Sequence, residues 1–385
     1  MKICTNCVMP ETAESLYYDN KGECSVCKQI AYKKDGIDWS KRLSNLKQIV
    51  SDHKGKNDYD CIVPFSGGKD STFTLYYLVK KLGLKCLAVR FDHLFMRPNV
   101  EENAMKTFAK LGVDVIKFSP NLKVVKMLMF ESLFRRGDFC WHCHTGIFAY
   151  PMWVALNHNV QLIFWGEPGS EYSSFYGYDE LEEADERRFN RKMNLGINAE
   201  DMVGMINSRF NDANVELRDL KPFTFPPQKT LNEKKIKSVM LGYYIPWDVK
   251  EQVKLIKKEL DWIGDTVEGI PPEYDYEKIE CYMQGMRDYI KYLKRGFGRT
   301  AHLTSIDIRN GRLDRETALN LCKKFDGKKP VVLEIFLKTL KISEEEFMNI
   351  VSRHVVEPFE MPNKKDIKRS NLLLDGLTDF EKKIL

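Results

Sequence analysis

Ser66 to Ser71 reads SGGKDS and follows directly on the apolar run Cys61-Ile62-Val63-Pro64-Phe65. That arrangement leaves few folds open. Residues 60–65 have the composition of a buried strand, and residues 72–82 place Leu75, Leu78, Val79 and Leu82 at helical spacing. The glycines therefore occupy a strand-to-helix turn. Gly67 and Gly68 admit backbone angles closed to other residues and let a ligand approach the amide groups. Free N–H groups at a helix start, with the helix dipole behind them, attract anions. Lys69 adds a positive charge, Ser66 and Ser71 add hydroxyls, and Asp70 is the residue type that holds magnesium. The expectation is a pyrophosphate cradle in which Lys69, Asp70 and Ser71 carry the chemistry.

The two glycines are adjacent and precede the lysine, so this is not a Walker A loop. SGGKDS instead resembles the PP-loop of the ATP pyrophosphatases. The resemblance implies ATP and Mg2+ as cofactors, with ATP cleaved to AMP and pyrophosphate while an oxygen of the substrate is adenylated.

From residue 60 onward strand-like and helix-like segments alternate, the pattern of an α/β doubly wound parallel sheet. Strands are expected at 60–65, 85–92, 113–119, 161–165 and 241–246. Helices are expected at 98–112 with Asn99 as N-cap, at 122–136, and at 248–260. Ligands of such sheets bind beyond the carboxyl ends of the strands. Asp92, after the second strand, is read as a ribose or adenine contact, and Gly166 with Glu167, after the fourth, as a close approach to the nucleotide. The bland alternative for all three is ordinary strand-end turn residues.

The whole chain of 385 residues allows two or three domains. Residues 1–57 are read as a ribbon and linker helix, 58–265 as the ATP-binding domain with an insertion at about 172–235, and 266–385 as a helical region for substrate or partner. A charge of +5, from 60 basic and 55 acidic residues, is too mild to call for a nucleic-acid partner. No membrane-length apolar run is present, and MKICTNCVMPE lacks a signal-peptide core, so the expectation is a cytoplasmic protein.

Ten cysteines in such a protein point to metal or redox chemistry rather than disulfides. Cys4-x2-Cys7 and Cys24-x2-Cys27 bracket the turn formers Pro10, Asp19, Asn20 and Gly22. Two facing knuckles would supply four thiolates in a tetrahedron, the geometry of structural Zn2+; an iron–sulfur cluster is the other reading. A four-thiolate site has no open position for catalysis, so its role is to fold an N-terminal ribbon. The second pair, in Phe139-Cys140-Trp141-His142-Cys143-His144, crowds its ligands too closely in sequence for all to meet one ion. Cys140 and Cys143 are a possible second thiol site, or buried structural residues. The basic segment 291–300 contains Lys294, Arg295 and Arg299, candidates for clamping a carboxylate or phosphate. Its alternative is a solvated basic turn.

The segments ICTNCVMPET, PFSGGKDS, FCWHCH, IFWGEP, GYYIPWDVKEQV and YIKYLKRGFGRTAHLTSIDIRNGRLDRETA, in this order along nearly the whole chain, resemble the N-acetyl sugar amidotransferases of bacterial surface-glycan (LPS O-antigen) biosynthesis. The resemblance implies conversion of a sugar acetamido group into an acetamidino group. The sugar would be nucleotide-linked or a nonulosonic acid. No cysteine lies in a glutaminase nucleophile elbow, so ammonia comes from free solution or from a separate subunit; the resemblance implies a glutaminase subunit and a cyclase-like subunit as partners, with the aromatic 172–227 region as a candidate docking surface. Some transfer-RNA-thiolating PP-loop enzymes also resemble this chain in their CxxC pairs. In that alternative Cys140 or Cys143 would carry the sulfur chemistry.

Overall fold

The computed structural model describes every residue except 174–175 and 182–184. Five parallel strands form one sheet: β1 (Cys61–Pro64), β2 (Cys86–Phe91), β3 (Asp114–Phe118), β4 (Leu162–Trp165) and β5 (Lys237–Met240). Their order is β3-β2-β1-β4-β5. The chain steps outward from β1 through β2 to β3, then returns across β1 to β4 and β5. The order therefore reverses between β1 and β4, which makes the crevice at their carboxyl ends the binding position of a doubly wound sheet.

Near-continuous apolar runs build the central strands because both faces are covered. On one face Ile62, Leu87, Val89, Ile163 and Trp165 pack with Met152, Ala155, Phe225 and Leu231. The outermost strand differs from expectation. β5 is Lys237–Met240, and the aromatic Leu241–Tyr244 turns into a short helix. An edge strand needs only partial burial, so the more polar Lys237 and Ser238 suffice there.

Helices run as read over Leu122–Arg136 and Val249–Leu260, the latter capped by Asp248. The N-cap of the Pro98–Leu111 helix lies two residues before the expected Asn99: it is Arg97, and Pro98 occupies the first turn, where its missing N–H costs nothing. The C-terminal third is helical, and Ser343 with Glu346 forms a reciprocal capping box. Ile279, Met283, Met286, Ile290 and Leu293 are buried as core.

The chain divides into two compact units, cut differently from the expected three segments. One comprises Asp38–Pro168 and Glu182–Gly264 and contains the sheet. The other joins Met1–Ile37, Gly169–Leu181 and Asp265–Leu385. The ribbon thus belongs with the C-terminal helices, and the reason is chemical. Arg315 donates from Nε to the carbonyls of Cys4 and Cys7 at 3.3 and 3.1 Å, and Ser305 Oγ accepts from the Val8 amide. The expected insertion is shared between the units. In its aromatic, proline-rich part Phe223 and Phe225 are buried.

Candidate nucleotide and metal sites

In the sheet unit, Phe65 hydrogen-bonds to Val89 and carries β1 into the loop, and Lys69–Tyr76 is the helix that follows. Gly67 has φ +92°, a conformation that disfavours a side chain, and a Cβ there would lie 2.7 Å from Val100 Cγ1. Trp262 Nε1 donates to the Gly67 carbonyl at 3.1 Å. The amides of Ser66 and Gly67 both donate to Ser71 Oγ at 3.2 Å, and the Gly68 amide donates to Ser66 Oγ at 3.3 Å. Three successive loop amides thus donate to the two serine hydroxyls, which brace the turn between β1 and the helix.

Lys69 is the first residue of the helix, and its side chain is only 5% exposed. Its Nζ lies 2.7 Å from Asp70 Oδ2, a partner that its neighbour in sequence supplies. Asp70 Oδ1 is buried and has no hydrogen-bond partner among the described residues. An unpaired, ionisable oxygen at the mouth of the loop fits a divalent cation.

Gly166 sits across the switch point, at the end of β4. It is a close-approach glycine, but its near neighbours are protein: a Cβ would meet Thr74 Oγ1 at 2.8 Å and the Asp70 carbonyl at 3.2 Å. The glycine lets the loop helix pack against the β4 exit. Glu167 follows in the bend, half-buried. Asp92 closes β2 against β3. It accepts from the Leu94 amide at 2.8 Å and from Ser119 at 3.1 Å, and pairs with Lys117. Burial pushes its carboxyl up, but the Leu94 amide and Lys117 outweigh that and hold it below the usual range. Both oxygens are engaged, so its observed contacts are those of a strand-end clamp, the bland reading of this residue.

The basic segment of the other unit is also committed to the fold. Arg295 binds the Thr12 carbonyl and Glu14, and Arg299 is buried against Asp288 and Glu277 at 3.2 and 3.7 Å. Lys294 ends the same helix, and its carbonyl accepts from Val356. Arg295 and Arg299, read in sequence as a substrate clamp, are here engaged in intramolecular ion pairs, with acids that lie outside the basic segment.

The ligand sulfurs of Cys4, Cys7, Cys24 and Cys27 all lie within 4.8 Å of one another, with separations of 4.0 Å for Cys4 to Cys27, 3.7 Å for Cys7 to Cys24 and 3.5 Å for Cys24 to Cys27. Four sulfurs at the corners of a tetrahedron around one ion, with bonds of about 2.3 Å, stand about 3.8 Å apart. The set therefore fits a single metal ion; a cluster of several irons needs a wider cage. The Cys7 and Cys24 amides point at Cys4 Sγ, and the buried Arg309 guanidinium reaches Cys7 Sγ at 3.8 Å. Hydrogen bonding to Cys24 and Cys27 pulls the Cys7 thiol down to about 6. Arg309 and Arg315 are the residues the sequence reading missed. Their signal was the IDIRNGRLDRETA segment.

Cys140 and Cys143 are not gathered with other ligands into a metal site among the described residues. Cys140 is the N-cap of the helix Trp141–Asn157, so the following side chains fan out around the helix instead of converging. His142 in its first turn is 1% exposed, and neither ring nitrogen has a hydrogen-bond partner among the described residues.

Comparison with known proteins agrees with this geometry. Residues 273–373 match the family described as LPS biosynthesis protein WbpG-like, C-terminal domain. An uncharacterised protein of Methanocaldococcus jannaschii is 29% identical over 143 residues, 36% of this chain and 50% of that protein. A glutamine-hydrolysing GMP synthase of Pyrobaculum aerophilum is 35% identical over 83 residues, 22% of this chain and 16% of the enzyme. The chain thus spans half or less of the length of these curated relatives. Among solved structures, the U34-tRNA thiolase NcsA from Methanococcus maripaludis with its 4Fe-4S cluster overlaps 83% of this chain and 89% of its own, at 16% identity and a TM-score of 0.29.

Proposed function

We propose that this protein uses ATP to convert a sugar acetamido group into an acetamidino group in surface-glycan biosynthesis. The observation that carries the reading is the joint presence, in one chain, of the SGGKDS loop at the sheet's switch point and a segment at 273–373 that matches the WbpG-like LPS biosynthesis family. Among the described residues no helix is long and apolar enough to cross a membrane, and a cytoplasmic setting, where ATP is abundant, suits the reaction.

An amide carbonyl is a poor electrophile. In this reading its oxygen attacks the α-phosphorus of ATP and pyrophosphate leaves. Lys69, at the start of the helix, meets the charge that develops on the leaving group, and Asp70 would hold a magnesium ion that neutralises part of it. Ammonia then adds to the activated carbon, and AMP departs with the former amide oxygen. A zinc ion held by Cys4, Cys7, Cys24 and Cys27 would fold the ribbon and supply no catalytic chemistry, while Ser305, Arg309 and Arg315 hold the ribbon to the C-terminal helices. A glutaminase and a cyclase-like subunit are the proposed partners that deliver ammonia.

The test is pyrophosphate release by the purified protein with ammonium and a panel of acetamido sugars, beside unmodified transfer RNA. Release that depends on a sugar, with a product in which NH has replaced oxygen, supports the reading. Release only with transfer RNA, together with sulfur gained by the RNA, replaces it by thiolation.

A further inference from the structure

The proposed reaction needs a place for its nucleophile, and the PP-loop supplies none. Lys69 is suited to phosphate, and the Asp70 carboxylate, paired with Lys69, is suited to a cation and not to a neutral amine.

The carboxyl rim of the same sheet offers a different chemistry one strand away. β1 and β2 pair in register, Pro64 opposite Val89, so Ser66 and the residues just beyond Phe91 leave the sheet side by side. Neighbouring strands lie about 4.8 Å apart. Beyond Phe91 the chain places His93 and Phe95, whose rings stack with centroids 6.2 Å apart, and the Phe95 ring meets the edge of His142 at 5.9 Å. His142 arrives from the first turn of Trp141–Asn157, which approaches closely because Gly146, one turn on, leaves room for the Phe91 ring; a Cβ at Gly146 would be 2.2 Å from it. Two imidazoles and two phenyl rings thus form a dry lining at the exit of β2.

The rings are not equivalent. His93 Nδ1 accepts from the Phe95 amide at 3.2 Å, which fixes its remaining proton on Nε2. His142 keeps both nitrogens unpaired at 1% exposure, at a cost in stability that an apolar residue of similar size would avoid. Burial holds the two rings neutral at ordinary pH, with His93 lowered to about 4 and His142 to about 3, the latter helped by its imidazole neighbours His93 and His144.

We propose that His142, backed by His93, receives the ammonia that attacks the activated acetamido carbon. The inference rests on the amidination reading above. A neutral ring nitrogen accepts a hydrogen bond from NH3, while the phenyl rings disfavour NH4+, whose desolvation is costly. As the new C–N bond forms, the carbon–oxygen bond to AMP breaks and AMP leaves with that electron pair. His142 takes the proton that the attacking nitrogen sheds. Proton acceptance in the developing transition state, not ground-state basicity, is what it contributes.

Two half-reactions separate this role from the rest. Sugar-dependent exchange of labelled pyrophosphate into ATP reports adenylation and correct folding; amidine formation at varied ammonium reports the second step. His142→Phe and His142→Asn are expected to keep the exchange and to lower kcat/KM for ammonium by about 100-fold, the scale of a positioned proton acceptor. His158→Phe, at the other end of the same helix, is expected to change neither. Wild-type ammonium kinetics in both His142 variants, or parallel loss of exchange and amidination in both, would overturn the proposal. Absence of sugar-dependent exchange in the unmodified protein would instead remove the amidination reading, and this inference with it.

Discussion

Lys69 is predicted to have two separable roles, and replacing it tests both. Its Nζ is 2.7 Å from Asp70 Oδ2, with the lysine side chain 5% and the aspartate side chain 22% exposed. At that distance and an effective dielectric constant of about 20 the attraction is about 6 kcal/mol before desolvation is counted. Removing one partner of such a pair costs about 3–5 kcal/mol, because a buried charge is left uncompensated. The partial exposure of Asp70 puts Lys69→Ala at the low end, about 3 kcal/mol, or roughly 6–12 °C in the Tm of the sheet unit. A Lys69→Met, Asp70→Asn double variant removes both charges and is expected to regain most of that loss. Pyrophosphate release is expected to be lost in both, since neither retains the cation that meets the phosphates. Thermal unfolding and pyrophosphate release on the three proteins decide the matter. A double variant as unstable as Lys69→Ala would refute the electrostatic argument, and one that still turns over ATP would refute the assignment of Lys69 to catalysis.

Three further predictions follow from named contacts. Cys4→Ser combined with Cys24→Ser should remove one bound metal ion per chain by elemental analysis; iron in place of zinc, or unchanged metal content, would contradict the single-ion geometry. Gly67→Ala should lose about 1–2 kcal/mol from its positive φ and about 1–3 more from the clash with Val100, seen as a lowered Tm and weakened ATP binding; an unchanged Tm would show that the loop can relax. Burial raises the Asp326 carboxyl from 3.8 to about 6 while it caps the helix at Thr300 and Ala301. The folded protein therefore binds a proton that the unfolded chain has released. The contribution is fully present below about pH 4 and is lost as pH rises through about 6. Asp326→Asn should flatten that slope in denaturant titrations, and a slope that persists would place it elsewhere.

The central strands and the loop were legible because each is local. An apolar run bounded by glycine or a charge states its own structure, as at 61–65 and 162–165. What failed to show was long-range pairing. Arg295 and Arg299 look like a ligand clamp in sequence because Thr12, Glu14, Glu277 and Asp288 are elsewhere in the chain. Asp92 looks like a nucleotide contact until Lys117 and Ser119 arrive from the next strand. The edge strand slipped because Leu241–Tyr244 is more apolar than Lys237–Met240, and hydrophobicity alone favours the wrong one. His142 was visible only as one member of a crowded motif. Its importance comes from the ring nitrogens that the surrounding fold leaves unpaired.

The most direct test of the account follows one atom. An acetamido sugar carrying heavy oxygen in its acetamido carbonyl is incubated with ATP, ammonium and the protein, and the products are read by mass spectrometry. The account predicts that the label moves to the phosphate of AMP while the sugar gains nitrogen in its place. Label retained in the sugar, or released to water with none in AMP, would contradict activation of the amide by adenylation.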